Sequence, residues 1–223
     1  MSLRARERAS GHRPAEAETY RRQFVVMVHR ILAGGFAALR SRSSDLAAKE
    51  ETAITGLLVD QMQLLLESRR CPRGAEHFAV HDDRPESAQG IEGKRRPRID
   101  LFVERTGRGP RPKFHFEAKR LNAGSSVAAY VGAEGLGRFL SGKYAKDAPD
   151  AGMLGYVQDD FPGTWADRIE KKLDSERAQH GLPPAGEVWE AHSLVKELAY
   201  SYRATHTREG RPFQVFHVLL ACA

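Results

Sequence analysis

The chain has 223 residues, of which 41% are hydrophobic and 29% charged, a composition that suits one soluble α/β domain with additions and enough apolar residues for a core. The net charge of +6, with a pI near 9.5, favours a polyanionic partner without requiring one. Cys71 and Cys222 are far apart and have no zinc-type spacing, which argues against a structural zinc site and fits a reducing cytoplasm.

Residues 1–17 are polar, basic and aperiodic, and read as a mobile arm. They lack the apolar stretch of a signal peptide. Residues 18–42 read as a helix, with Phe24, Met27, Val28, Ile31 and Leu32 at helical spacing. The apolar run Phe24 to Leu39 contains His29 and Arg30 and is too short to span a bilayer, so no membrane association is expected. A polar break follows, with Ser44 or Asp45 as a helix cap. A second helix is predicted from about Leu46 to Ser68, on Ile54, Leu57, Leu58, Met62, Leu65 and Leu66. A short strand over 77–81 leads into a polar loop, 82–97, that ends in Lys94-Arg95-Arg96. Residues 98–104 and 113–119 read as strands joined by a Gly/Pro loop. A helix over 127–142, a strand over 153–157 and an amphipathic helix over 161–177 come next. The GLPPAGE linker precedes two closing strands, about 199–206 and 213–220, around a turn at Glu209-Gly210. Strands flanked by helices imply an α/β sandwich around a mixed sheet.

The stretch KFHFEAKR, residues 113–120, carries the chemistry. If strands 98–104 and 113–119 fold back symmetrically near Arg108-Gly109, Asp100 stands across from Glu117. Asp100, Glu117 and Lys119 then share one face, and Ile99, Leu101, Val103, Phe114, Phe116 and Ala118 share the other. Burial of the apolar face enforces that register, because a slip of one residue scatters both sets. Two adjacent carboxylates repel unless a cation lies between them, and a hard divalent ion such as Mg²⁺ prefers that ligand set. A lysine beside the ion can orient or help deprotonate an attacking water. These are the parts of metal-assisted phosphodiester hydrolysis.

Asp100 followed by Glu117-Ala118-Lys119 resembles the PD-(D/E)xK nuclease superfamily, with Ile99-Asp100 in place of the usual Pro-Asp. KEETAIT, residues 49–55, resembles the helix that carries a further glutamate in that superfamily; Glu51 is the better match and Glu50 the rival. The stretches YVGAEGLGRFLSGKYA and GMLGYV, and the closing hairpin, resemble phage-defence and restriction-type nucleases of the same fold. The likeness covers about residues 45–223 and leaves residues 18–44 as an N-terminal helical extension. It implies a restriction-endonuclease-like three-layer sandwich with a central mixed sheet. It further implies a Mg²⁺- or Mn²⁺-dependent deoxyribonuclease of a bacterial defence or restriction-type system. Asp100, Glu117 and the Ala118 carbonyl would hold the metal, Lys119 would position the water, and Glu51 would hold a second ion or orient the site. A partner subunit or homo-oligomer would supply target choice, since no separate sequence-reading domain is visible. A catalytically inactive nucleic-acid-binding or assembly subunit that keeps the fold is the alternative.

Each feature also has a plainer reading. Glu117 and Lys119 could be a surface pair worth about 0–1 kcal/mol. An acid at Glu50 or Glu51 is favoured by the helix dipole alone. Two other Glu-x-Lys triplets, at 92–94 and 170–172, fall in a polar loop and on a predicted helix. Arg95, Arg96, Arg98, Arg105, Arg108 and Arg111 flank the site, either as phosphate contacts or as a solvated loop; Arg120 and Lys143 are further candidates for a bound strand. His115 is expected to be exposed or to support the site from behind, and His206 and His217 to be structural. Tyr130, Tyr144, Tyr156, Phe139 and Trp165 read as core.

Overall fold

The computed structural model describes residues 14–85, 98–107, 111–124 and 126–223. The chain is α/β, with a seven-stranded mixed open sheet in the order β1-β2-β3-β4-β7-β6-β5. Its strands are β1 (Phe78–Pro85), β2 (Arg98–Arg105), β3 (Lys113–Leu121), β4 (Asp150–Val157), β5 (Glu190–Ala191), β6 (Ser201–Arg208) and β7 (Arg211–Ala221). β1, β2 and β3 form an antiparallel meander, β3, β4 and β7 run parallel, and β6 and β5 close the other edge antiparallel. The turn at Glu209-Gly210 joins β6 to β7, and both residues have positive φ, as a tight two-residue hairpin requires. β5 went unpredicted because two residues show no period.

Helices cover both faces, an arrangement compatible with a three-layer sandwich. One cluster packs α1 (Pro14–Arg42) and α2 (Glu51–Glu67) on Leu101, Val103, Phe114, Phe116, Ala118, Leu154 and Tyr156. The other packs α3 (Val127–Val131), α4 (Gly137–Leu140) and α5 (Pro162–Ser175) on Phe102, Leu121, Met153, Val157, Val215 and Leu219. The even and odd positions of β4 and β7 divide between the two clusters, as the strand period requires. Gly152 sits at the centre, where a Cβ would fall 2.2 Å from the Phe116 ring, so this glycine makes room for the aromatic layer.

Three expectations are corrected. Residues 18–44 are no separate extension: Val28, Ile31 and Leu32 are fully buried in the cluster that holds Leu58 and Phe116. Arg21 binds Asp150 and the Lys113 carbonyl, and so ties α1 to the starts of β3 and β4. By length and composition α1 passes for a membrane-crossing helix, beyond the shorter run read from sequence, but 56% of its apolar window is buried inside the protein. The predicted helix over 127–142 is broken, because Gly132 and Gly135 let the chain double back. A Cβ at Gly135 would lie 2.2 Å from the Tyr130 carbonyl oxygen. The helix expected from Leu46 is a 3-10 turn over Leu46–Ala48, and α2 begins at Glu51.

His29 lies in the core among Phe114, Phe116 and Phe216, with ring centroids 5.4–6.0 Å away. Its Nδ1 meets the Val25 carbonyl, and burial pulls its pKa down to about 4. The unfolded chain therefore takes up the proton first. This stability is present above about pH 6.5 and falls as pH drops towards 4. Across that window His29→Asn should flatten the pH dependence of unfolding free energy by up to about 1.4 kcal/mol per pH unit, read from urea titrations. A slope unchanged by the substitution would show that His29 protonates in the folded chain as readily as in the unfolded one.

Candidate active site

The β2–β3 ladder pairs Leu101 with Phe116, Phe102 with His115 and Val103 with Phe114, the register expected from the apolar pattern. Pairing ends at Leu101–Phe116, one step before Asp100 and Glu117. Beyond that point β3 pairs with β4, and the Asp100 carboxylate takes over from a strand partner: the Ala118 N–H donates to Asp100 Oδ2 at 2.8 Å. Ile99 departs from the expected face and packs with the second cluster, because the strand no longer follows β3 there.

Glu117 has no exposure to solvent. Lys119 Nζ lies 2.8 Å from Glu117 Oε1, 3.0 Å from Glu51 Oε1 and 2.7 Å from the Ala118 carbonyl oxygen. Glu51, the first residue of α2, also accepts the Arg120 N–H through Oε2 at 3.1 Å. Glu50 is 73% exposed and pairs with the Arg120 guanidinium at the rim. Of the two glutamates weighed, Glu51 is therefore the one inside the cluster. Asp100, Glu117, Ala118, Lys119 and Glu51 are brought together by three elements.

The electrostatics follow from this packing. Burial, then repulsion from Asp100, pushes the Glu117 carboxyl up to about 7, against the pull of Lys119 and Arg138. Burial also raises Asp100, and the Ala118 N–H offsets only part of that. Burial acts to lower Lys119, but Glu117, Glu51 and Asp100 outweigh it and leave the ammonium above its ordinary value.

Two mutually repelling carboxylates, Asp100 and Glu117, and the Ala118 carbonyl oxygen lie around Lys119, and oxygen donors are the ligands that hard divalent cations take. Among the described residues, no group of three or more His, Cys, Asp or Glu stands close enough to form a ready cage. Lys119 Nζ holds the centre of the oxygen cluster instead.

Of the proposed strand contacts, Arg98 and Lys143 are exposed, and Arg120 is engaged with Glu50. Arg95, Arg96 and Arg108 lie outside the described residues. His115 is buried rather than exposed, with its ring tilted against Phe102, because it faces the second core cluster. His206 and His217 are buried and hydrogen-bonded to the His180 carbonyl and to the Tyr130 hydroxyl, respectively. Tyr130, Tyr144, Tyr156, Phe139 and Trp165 are all core residues, and the Tyr156 hydroxyl meets Thr55 behind Glu51.

Sequence reasoning missed two residues. Arg138, on α4, places Nη1 3.0 Å from Glu117 Oε1 and 2.8 Å from the Tyr144 hydroxyl. A lone arginine between Gly137 and Phe139, in a stretch with Leu136 and Leu140, was the available signal. Gln158, just after β4, is buried and donates through Nε2 to the carbonyls of Leu46 and Lys49, while Asn122 donates to its Oε1. It anchors the loop from which Glu51 starts. No protein-family model, curated protein or solved structure matches this chain.

Gln158→Leu leaves two carbonyls and the Asn122 amide without this partner, and should lower unfolding free energy by roughly 1–3 kcal/mol in urea titrations. An unchanged midpoint would show that water replaces the side chain there without cost.

Proposed function

We propose that this chain is a divalent-cation-dependent nuclease of the PD-(D/E)xK kind, with a restriction-endonuclease-like sheet, acting on DNA in preference to RNA. The observation that carries the reading is the convergence of Asp100, Glu117 and Lys119 with Glu51 in one largely buried cluster where β2 and β3 part. A structural ion pair needs neither the repelling second carboxylate nor the glutamate from another element. The basic balance of the chain suits a phosphodiester backbone.

Asp100, Glu117 and the Ala118 carbonyl would hold Mg²⁺ or Mn²⁺. Bound there, the ion supplies Lewis acidity towards the phosphoryl oxygens and charge to offset the departing 3′-oxygen. The chain's own groups do the rest. Lys119 orients the attacking water and donates to a phosphoryl oxygen as negative charge grows. Glu51 holds the Lys119 ammonium in place through Oε1 and anchors β3 through the Arg120 N–H. Asp100 fixes the Glu117–Ala118 peptide by accepting the Ala118 N–H. Association with a phage-defence or restriction-type system, and with a partner subunit, rests on the sequence resemblance alone.

One observation favours a second reading. Lys119 and Arg138 already neutralise Glu117, as they would in a binding or assembly subunit that keeps the fold without catalysis. The two readings separate in a cleavage assay on linear, circular and single-stranded DNA and on RNA, with Mg²⁺, Mn²⁺ or EDTA. The nuclease cuts only with a divalent ion, and Lys119→Met lowers the rate by roughly 10²-fold or more while nucleic-acid binding persists. Nucleic-acid binding with no cutting by the wild-type chain under any of these conditions supports the non-catalytic subunit.

A further inference from the structure

Both oxygens of Glu117 are already covered: Lys119 Nζ and Arg138 Nη1 lie 2.8 and 3.0 Å from Oε1, and Arg138 Nη1 lies 3.4 Å from Oε2. A cation at Glu117 would need one of the two side chains to give way. Lys119 is the less exposed of the two, held on Glu51, Glu117 and the Ala118 carbonyl. Arg138 approaches from the outer side, and its Nε and Nη2 rest on Glu134, whose side chain is 70% exposed.

The backbone beneath Arg138 is braced. Arg208, from the β6–β7 hairpin, donates to the carbonyls of Phe139, Lys146 and Ala148 at 3.2, 2.9 and 2.7 Å. Its guanidinium also stacks over the Phe213 ring. An exchange at Glu117 therefore needs only the Arg138 side chain to swing, with the Tyr144 hydroxyl as its near pivot. A guanidinium released beside two carboxylates finds its best partner in a phosphate, whose oxygens match its planar fork.

Resting on the nuclease reading, we propose that Arg138 is a phosphate-gripping residue of this site: it covers Glu117 when no cation is bound, and turns to the backbone phosphate of the bound strand when a cation takes Glu117. Arg138 thus competes with the cation and cooperates with the nucleic acid, opposite effects that a merely structural ion pair would not produce.

The test uses the full chain, with Ca²⁺ affinity from calorimetry and binding of a short duplex and its single strands from fluorescence anisotropy in Ca²⁺ across a salt series. Arg138→Gln should tighten Ca²⁺ binding by about threefold to tenfold, the scale of removing one like charge from a partly exposed site. The same substitution should weaken nucleic-acid binding and make the salt dependence shallower by about one released ion. Arg138→Lys keeps the charge without the fork. It should hold Ca²⁺ affinity near wild type and recover part of the nucleic-acid binding, which guards against a folding defect in the glutamine variant. Wild-type Ca²⁺ binding with both affinities unchanged in Arg138→Gln overturns this inference alone. A wild-type chain that binds no divalent ion overturns the nuclease reading and this one with it.

Discussion

A carboxylate with no contact with water must be matched by positive charge, and the candidate site is organised around that demand at Glu117. Lys119 answers it from the same strand, two residues on, and Arg138 answers it from α4. Asp100 works against it, since its carboxylate is held on the Ala118 N–H and repels Glu117. Packed apolar residues in place of the whole buried charge set are often neutral or stabilising, whereas removing Glu117 alone leaves Lys119 and Arg138 without their partner. Keeping a buried acid, a second acid beside it and two cations around it concentrates charge where β2 and β3 part.

The sheet delivers these groups through one break in its hydrogen bonding. β2 and β3 are ordinary antiparallel partners as far as Leu101 and Phe116, with both clusters packed on them. Past that pair, β3 turns its pairing to β4, and side chains of Asp100 and Lys119 occupy the parted region. The helix layers reach it from both sides. Glu51 arrives at the start of α2, where the helix dipole favours an acid, and the Gln158 hydrogen bonds anchor that start. Arg138 arrives on a chain segment doubled back by glycines and braced by Arg208. α1, although remote from the chemistry, seals the core under Phe114 and Phe116 and so belongs to the same cooperative unit.

The parts of this arrangement that were legible in the sequence are those governed by local period. Alternation of apolar residues in Arg98–Arg105 and Lys113–Leu121 dictated the hairpin register as far as Leu101–Phe116, and Asp100 then lies close enough to repel Glu117 without being its strand partner. Glu51 could be read as an acid at a helix start, but only the distances separate it from Glu50, which sits 73% exposed at the rim. Helical spacing in α1 showed a buried stripe without saying what would cover it, and so the helix looked like an extension. The glycines after Val131 looked like weak points in a helix, although their consequence, a close approach to the Tyr130 carbonyl, is a three-dimensional fact. Arg138 and Gln158 act across long sequence separations and leave no periodic trace.

On the proposed function, Asp100 and Glu117 would hold the divalent cation of this chain. This is tested most directly by titrating the protein with Mn²⁺ and reading the free ion by electron paramagnetic resonance, with Glu117→Gln and Asp100→Asn alongside. The expected result is saturable binding by the wild-type chain that each substitution abolishes or severely weakens. Wild-type binding that survives in both variants, or no binding in the wild type, would contradict it.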